Sequence, residues 1–291
     1  MSDRTASTES ASLPLLLVLI SLLSQYIGAA AAKGLFPSVG AEGVTALRIG
    51  LSALLLAAWW RPWRRWPDRR QLPTLLGYGL GLGAMNLAIY HAIARIPIGI
   101  AIAIEVTGPL MVALIGSRRP RDFAWVALAI IGLALLAPID AAEAGLDPLG
   151  VLYAVGAALC WALYILFGKR ASAMPGGDSV AWGLLIASTF TIPVGLAHTG
   201  AALFTPTVLL IGLAVAILSS VVPYSLEMRA LRTLPSHVFG LALSASPAVA
   251  ALIGFVILDE QLSRTQWIAI LCIVCASAGN VVAKGRTYRS A

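Results

Sequence analysis

The sequence predicts an all-α membrane protein of ten transmembrane helices, arranged as two inverted five-helix repeats. Three observations carry that expectation. Apolar runs of about 20 residues recur from end to end, each long enough to cross a hydrocarbon core ~30 Å thick. Of the 291 residues 59% are hydrophobic and only 11% charged, with a mean hydropathy of +0.89, whereas soluble domains carry about 25% charged residues. The second half of the chain also repeats the first at a fixed spacing.

Taken in order, the runs fall near 13–32, 41–60, 72–94, 97–116, 122–139, 149–168, 179–198, 208–228, 236–257 and 264–283. Their connections are short and leave no room for a soluble domain. Prolines sit near the junctions, at Pro37, Pro62, Pro97, Pro120, Pro148, Pro175, Pro206 and Pro235, as expected for a residue that disfavours helix interiors. The first run is followed by Ala30-x-Ala32, which mimics a signal-peptide cleavage site. At about 20 residues it exceeds a typical signal core of about 7–15, so an uncleaved first helix is expected.

The basic residues fix an orientation. Sixteen of the 20 lysines and arginines lie in the tails or in alternate loops, for example Arg61, Arg64, Arg65, Arg69 and Arg70 after the second run. The intervening loops hold only Lys33, Arg95 and Arg264, and Arg48 lies within a run. By the positive-inside rule both termini are cytoplasmic. Trp59, Trp60, Trp63 and Trp66 form an aromatic anchor at one cytoplasmic boundary. The net charge of +7 therefore reflects topology and contact with anionic lipid, not nucleic acid.

The repeat is visible at an offset of 138 residues. Pro97 meets Pro235, Pro109 meets Pro247, and Ala113-Leu114-Ile115-Gly116 meets Ala251-Leu252-Ile253-Gly254. After a four-residue shift, Trp125-Val126-Ala127 meets Trp267-Ile268-Ala269. Five spans per copy is odd, so the second copy enters from the opposite side. The expected units are a tail over 1–12, a first repeat over 13–140, a second over 148–284 and a tail over 285–291. Inverted repeats place substrate sites near the midplane at the repeat interface.

Ionisable groups inside a span mark function by default. The run Ile100-Ala101-Ile102-Ala103-Ile104-Glu105-Val106-Thr107-Gly108-Pro109-Leu110 holds one carboxylate. At about 1.5 Å per residue, Glu105 lies ~12 Å in from the outer end of its span, Asn86 ~12 Å and Arg48 ~10 Å. Three helices thus bring Arg, Glu and Asn to one level. Tyr26, His91, Thr107, Trp161, Tyr164, Ser244 and Ser246 are candidates to line the same cavity. Either Glu105 exchanges a proton as substrate leaves, or Arg48 and Glu105 hold the carboxylate and ammonium of a zwitterion. A static Arg48–Glu105 ion pair locking two helices is the structural alternative. Glu227, near a cytoplasmic end, is either a gate residue or a carboxylate reaching the interface. Pro109, Pro223 and Pro247 are candidate hinges. Gly77, Gly79, Gly81 and Gly83 allow close helix packing.

Other chemistries find little support. Cys272-x-x-Cys275 copies a redox spacing but lies in an apolar run, where packing explains it. The chain has no P-loop, no Gly-x-Ser-x-Gly and no pair of intramembrane aspartates. It is not expected to be an enzyme, and no cofactor or metal is expected.

Several motifs carry a family resemblance in their joint order: Gly43-Val44-Thr45-Ala46-Leu47-Arg48, Glu105-Val106-Thr107-Gly108-Pro109-Leu110, Ser117-Arg118-Arg119-Pro120 and Pro223-Tyr224-Ser225-Leu226-Glu227-Met228. Over residues 13–284 the chain resembles the EamA type of the drug/metabolite transporter superfamily. The resemblance implies a bacterial inner-membrane exporter of small amino acids such as threonine and homoserine, driven by proton antiport. Related chains often carry an acid before the proline of helix 9, where this chain has Ser246. Two alternatives stand beside amino-acid export: efflux of another metabolite or an amphiphilic drug, and a non-transporting membrane scaffold. The expected partners are an amino acid, protons and the bilayer, with a homodimer as the oligomer to consider.

Overall fold

A computed structural model of the chain describes residues 3–115, 120–136, 146–171, 178–231 and 242–288. Their helices are α1 (Asp3–Lys33), α2 (Phe36–Trp60), α3 (Leu72–Ile93), α4 (Ile98–Glu105), α5 (Thr107–Ile115), α6 (Pro120–Leu136) and α7 (Pro148–Ala171). They continue with α8 (Asp178–Thr199), α9 (Pro206–Ala216), α10 (Val222–Leu231), α11 (Ser246–Leu258) and α12 (Arg264–Tyr288). Six helical stretches are long and apolar enough to cross a membrane. Four shorter ones, Ile98–Pro109, Phe123–Leu135, Ser246–Leu258 and Arg264–Ala276, complete ten spans among the described residues. The Ser117-Arg118-Arg119 motif and the Pro235 junction lie outside those residues.

Prolines open many of the helices. Pro37, Pro73, Pro120, Pro148 and Pro206 fall in first turns, where a missing N–H leaves no intrahelical bond unmade. Gly40, at φ 66° and ψ 175°, breaks the start of α2. The regular span therefore begins at Ala41, where the sequence put it.

Two spans expected to be continuous are broken, at equivalent points of the repeat. The fourth turns at Val106, between α4 and α5. The ninth turns at Ser244 and Ala245, and Ser244 lies 138 residues beyond Val106. Proline explains both breaks. Pro109 and Pro247 cannot bond to the carbonyls four residues back, those of Glu105 and Leu243. Small hydroxyls bond backbone carbonyls at both breaks, and only in the ninth span is the carbonyl the one its proline frees. Ser246 Oγ donates to Leu243 O at 2.5 Å, and Thr107 Oγ1 donates to Ile104 O at 2.6 Å.

The packing shows the pseudo-twofold of an inverted repeat. Exchanging span n with span n+5 preserves the main neighbours. α2 lies along α8, α4 along α11 and α6 along α12, each beside its own repeat partner. α3 lies along α7, and the equivalent contact sets α1 against α9 and α10. Side chains such as Leu54, Leu80, Leu152, Leu210 and Leu271 are exposed on the outer surface, as befits a lipid-facing shell.

The α3 glycines divide their work between two neighbours. A Cβ on Gly77 would meet Phe167 of α7, and one on Gly81 would touch the Tyr164 backbone. On the other face, Gly79 abuts Ile186 and Gly83 abuts Phe190, both on α8. Gly79→Val should therefore lower stability in detergent by about 1–3 kcal/mol through overpacking. Gly156 of α7, which has open space where a Cβ would stand, should accept Ala with a gain of about 0.5–1 kcal/mol. Thermal unfolding of the two variants checks both expectations.

Candidate functional site

Arg48 sits midway along α2 and is only 9% exposed. A charge at this depth must be solvated by protein. The eighth span does this through a local change of helix. Between α9 and α10 the residues Ile217–Val221 form a wider π turn, and Pro223 follows. Because Pro223 has no N–H, neither the α-type acceptor Ser219 O nor the π-type acceptor Leu218 O can be paired by it. Both carbonyls find side chains instead. Arg48 Nη2 donates to Ser219 O at 3.0 Å, and Ser24 Oγ donates to Leu218 O at 2.8 Å. The guanidinium also donates through Nε to Ser220 Oγ at 3.2 Å and through Nη1 to Tyr90 Oη at 3.3 Å. Its carbon lies 5.4 Å from the Tyr90 ring centre, within cation–π range.

Arg48 faces a cavity of about 70 Å³ that Glu105, Asn86, Tyr26, Trp161 and Gln25 also line. Glu105 reaches it as the last residue of α4, just before the helix breaks. Its side chain is buried, and no described residue donates a hydrogen bond to its carboxylate. Arg48 and Glu105 influence each other electrostatically across the cavity. They form no ion pair, because the pairs among the described residues are Lys33–Glu260, His91–Glu42 and Arg95–Asp147. The static Arg48–Glu105 lock is therefore not formed here. Asn86 is tied by Nδ2 to Leu82 O at 2.8 Å. Only the amide nitrogen can donate to a carbonyl, so this bond fixes the orientation and leaves Oδ1 as an acceptor. The cavity thus holds a cation, a carboxylate and an amide oxygen with no direct link among the three.

Other residues singled out in the sequence lie elsewhere or at the margin. Tyr26 Oη faces Ser246, which brings the ninth span to the cavity edge. Ser244 is buried in the turn before α11. Thr107 and Ser246 engage the backbone at the two helix breaks, beside Pro109 and Pro247. Tyr164 accepts a hydrogen bond from Tyr78 at 3.1 Å and stacks on it, which fastens α3 to α7. Glu227 takes a 2.6 Å hydrogen bond from Ser21, joining α10 to α1.

His91 lies at the arginine-poor end, stacked on Tyr153 with Nε2 3.4 Å from Glu42. A firmer tie occurs at the same end. Glu260 accepts from Lys33 Nζ at 2.6 Å and from the Ile98 backbone N–H at 2.9 Å. One carboxylate thereby clamps the end of α1 to the positive N-terminus of α4.

Sequence reasoning did not single out Tyr90, Ser219, Ser220 or Gln25. A signal for the serines was present, since two hydroxyls four and three residues before an in-span proline mark a place where backbone acceptors are exposed. Tyr90 and Gln25 carry no comparable signal.

A ten-span bundle of pseudo-twofold design, whose interrupted helices meet at a buried charged cavity, is the architecture of a secondary transporter. Residues 148–282 match the EamA-like transporter family. The threonine/homoserine exporter RhtA of Salmonella typhimurium is 49% identical over 271 residues, covering 93% of this chain and 92% of that protein. RhtA of Escherichia coli K12 is 48% identical over the same shares. A crystal structure of a 20% identical chain shares the fold, with a TM-score of 0.61 over 94% of this chain and 98% of the other. The chain belongs to the EamA-like transporter family and is a transporter, not an enzyme.

Replacing Pro223 by alanine restores the N–H that Ser219 O lacks and sets it in competition with Arg48. A hydrogen bond to a charged group contributes about 1.5–3 kcal/mol. Pro223→Ala should therefore slow transport by on the order of tenfold or more while helix content is kept. Transport assays beside far-ultraviolet circular dichroism check this.

Proposed function

We propose that this protein exports small hydroxylated amino acids, threonine and homoserine foremost, across the bacterial inner membrane in exchange for protons. The observation that carries the proposal is the pair of opposite charges, Arg48 and Glu105, lining one buried cavity without pairing. Arg48 takes the substrate carboxylate, for which a guanidinium fork is suited. Glu105 takes the ammonium and, once substrate has left, a proton. A carboxylate held from water without donors is costly as an anion unless a cation or proton reaches it. The Asn86 amide oxygen accepts from the side-chain hydroxyl. Tyr26 and Trp161 wall the site. The name of the RhtA relatives, threonine/homoserine exporter, supports the substrate class.

The cavity volume, about 70 Å³, is small beside the ~300–1,000 Å³ of ordinary ligand pockets. An amino acid therefore enters only when the walls part. Alternating access between the repeats 13–140 and 148–284 supplies that motion. The hinges are the breaks beside Pro109 and Pro247 and the π turn before Pro223, and Glu227 holds α10 to α1 as a gate contact. Both termini face the cytoplasm on the positive-inside count, so the clamp of Lys33, Glu260 and the α4 N-terminus closes the outer end.

Counterflow in proteoliposomes with a panel of amino acids tests the proposal. Threonine and homoserine should exchange, and failure of active protein to exchange any panel member would sink it. Glu105→Gln should abolish gradient-driven accumulation, and normal accumulation would reject the coupling role. Arg48→Lys should weaken substrate affinity by on the order of tenfold, because lysine cannot replace the bidentate fork. Asn86→Leu should shrink the preference for threonine over its isostere valine, since a site built to bond a hydroxyl strongly rejects the analogue lacking it. An unchanged threonine-to-valine ratio would remove Asn86 from that role.

A further inference from the structure

A second cavity, of about 700 Å³, opens where α2 ends at the arginine-rich side. It is far from the Arg48–Glu105 chemistry. Arg61, Arg64 and Arg65 line it, with Trp59, Trp60 and Asp178. The local backbone builds this rim. Arg61 adopts a left-handed conformation at φ 51° and returns its N–H to Ala57 O, stopping the helix. Pro62–Arg64 then form a tight turn, closed by Arg64 N–H to Arg61 O at 3.0 Å and Arg65 N–H to Pro62 O at 3.1 Å. Three guanidinium groups are thereby gathered on one rim, and among the described residues none of the three is in an ion pair. Across the cavity, Asp178 opens α8. It is 5% exposed, and no described residue donates a hydrogen bond to its carboxylate. Trp59 and Trp66 are 78% and 76% exposed beside this rim, and exposed indoles mark the headgroup level of a bilayer.

The surplus of two positive charges calls for phosphate, the indoles place the site at the lipid boundary, and the buried Asp178 carboxylate, which accepts from no described residue, suits a hydroxyl donor. We propose that this cavity binds the phosphate-and-glycerol headgroup of an anionic phospholipid. Phosphatidylglycerol and the two-phosphate cardiolipin share that chemistry. The arginines hold the phosphate oxygens, and Asp178 accepts from a glycerol hydroxyl. Basic pockets between helices at the cytoplasmic side are suited to such headgroups. The bound headgroup joins the end of α2, which carries Arg48, to the start of α8, and so braces the packing partner of the substrate-facing helix.

The test uses the full chain in a neutral detergent, titrated with phosphatidylglycerol, cardiolipin, phosphatidylcholine or inorganic phosphate, with melting temperature as the readout. Phosphatidylglycerol and cardiolipin should raise it, and phosphatidylcholine and phosphate should not. Arg64→Gln with Arg65→Gln should weaken the lipid effect roughly thirtyfold, at about tenfold per 1.4 kcal/mol and near 1 kcal/mol per arginine. Arg69→Gln with Arg70→Gln removes the same charge from the same loop and should leave the effect near native. Equal loss in the two double variants would show diffuse attraction and overturn the site. An equal shift with inorganic phosphate would show a soluble-anion site and overturn the lipid assignment. Absence of any lipid-dependent shift in the native protein would overturn the proposal outright.

Discussion

A guanidinium inside a membrane protein must be solvated by something, and Arg48 is solvated by one backbone carbonyl that a proline has laid bare together with two hydroxyls. Pro223 removes one N–H, the π turn displaces the rest of the ladder, and the exposed Ser219 carbonyl receives the charge. Much of the site depends on this arrangement. It fixes the height of Arg48 in α2, draws α2 against the eighth span and holds Tyr90 beneath the cation. With its charge anchored by neutral acceptors, Arg48 keeps its attraction for an anion. A carboxylate bonded directly to the guanidinium would have cancelled that attraction.

The two repeats share an architecture without sharing chemistry. Each has a helix interrupted just before a proline, at positions 138 residues apart, and in each a small hydroxyl bonds a carbonyl at the break. Yet Glu105 in the first copy corresponds to Leu243 in the second, and the position before the second proline is Ser246. Ser246 is occupied with Leu243 O, so it supports the break. The broken helix belongs to both halves, and the deep carboxylate at the cavity to one.

Much of this was legible in the chain. Composition and run length marked the membrane, and the prolines at Pro109 and Pro247 marked the repeat. Depth counting brought Arg48, Asn86 and Glu105 to one level, and all three line the cavity. Depth counting has a blind side, because it says nothing of rotation about a helix axis. His91 and Tyr164 were therefore candidates on equal terms, although one is paired with Glu42 and the other is stacked on Tyr78. The π turn was illegible for a different reason. It arises from competition between backbone acceptors and side chains on other helices, and no local pattern of Ile217–Val221 encodes those partners. The helix breaks lay between these cases, since the prolines were visible but the exact turn depends on which hydroxyl caps which carbonyl.

Glu105, the one carboxylate that lines the cavity among the described residues, has an electrical consequence. A site with one acid can carry one proton, and a zwitterionic amino acid carries no net charge. On the proposed exchange, each turnover therefore moves one positive charge inward for each substrate molecule sent out. The membrane voltage then works alongside the pH difference, at about 2.3 kcal/mol per 100 mV for each charge moved. That equals roughly a fiftyfold outward concentration ratio. Export would persist in a cell whose interior and surroundings have the same pH, for as long as the membrane stays polarised.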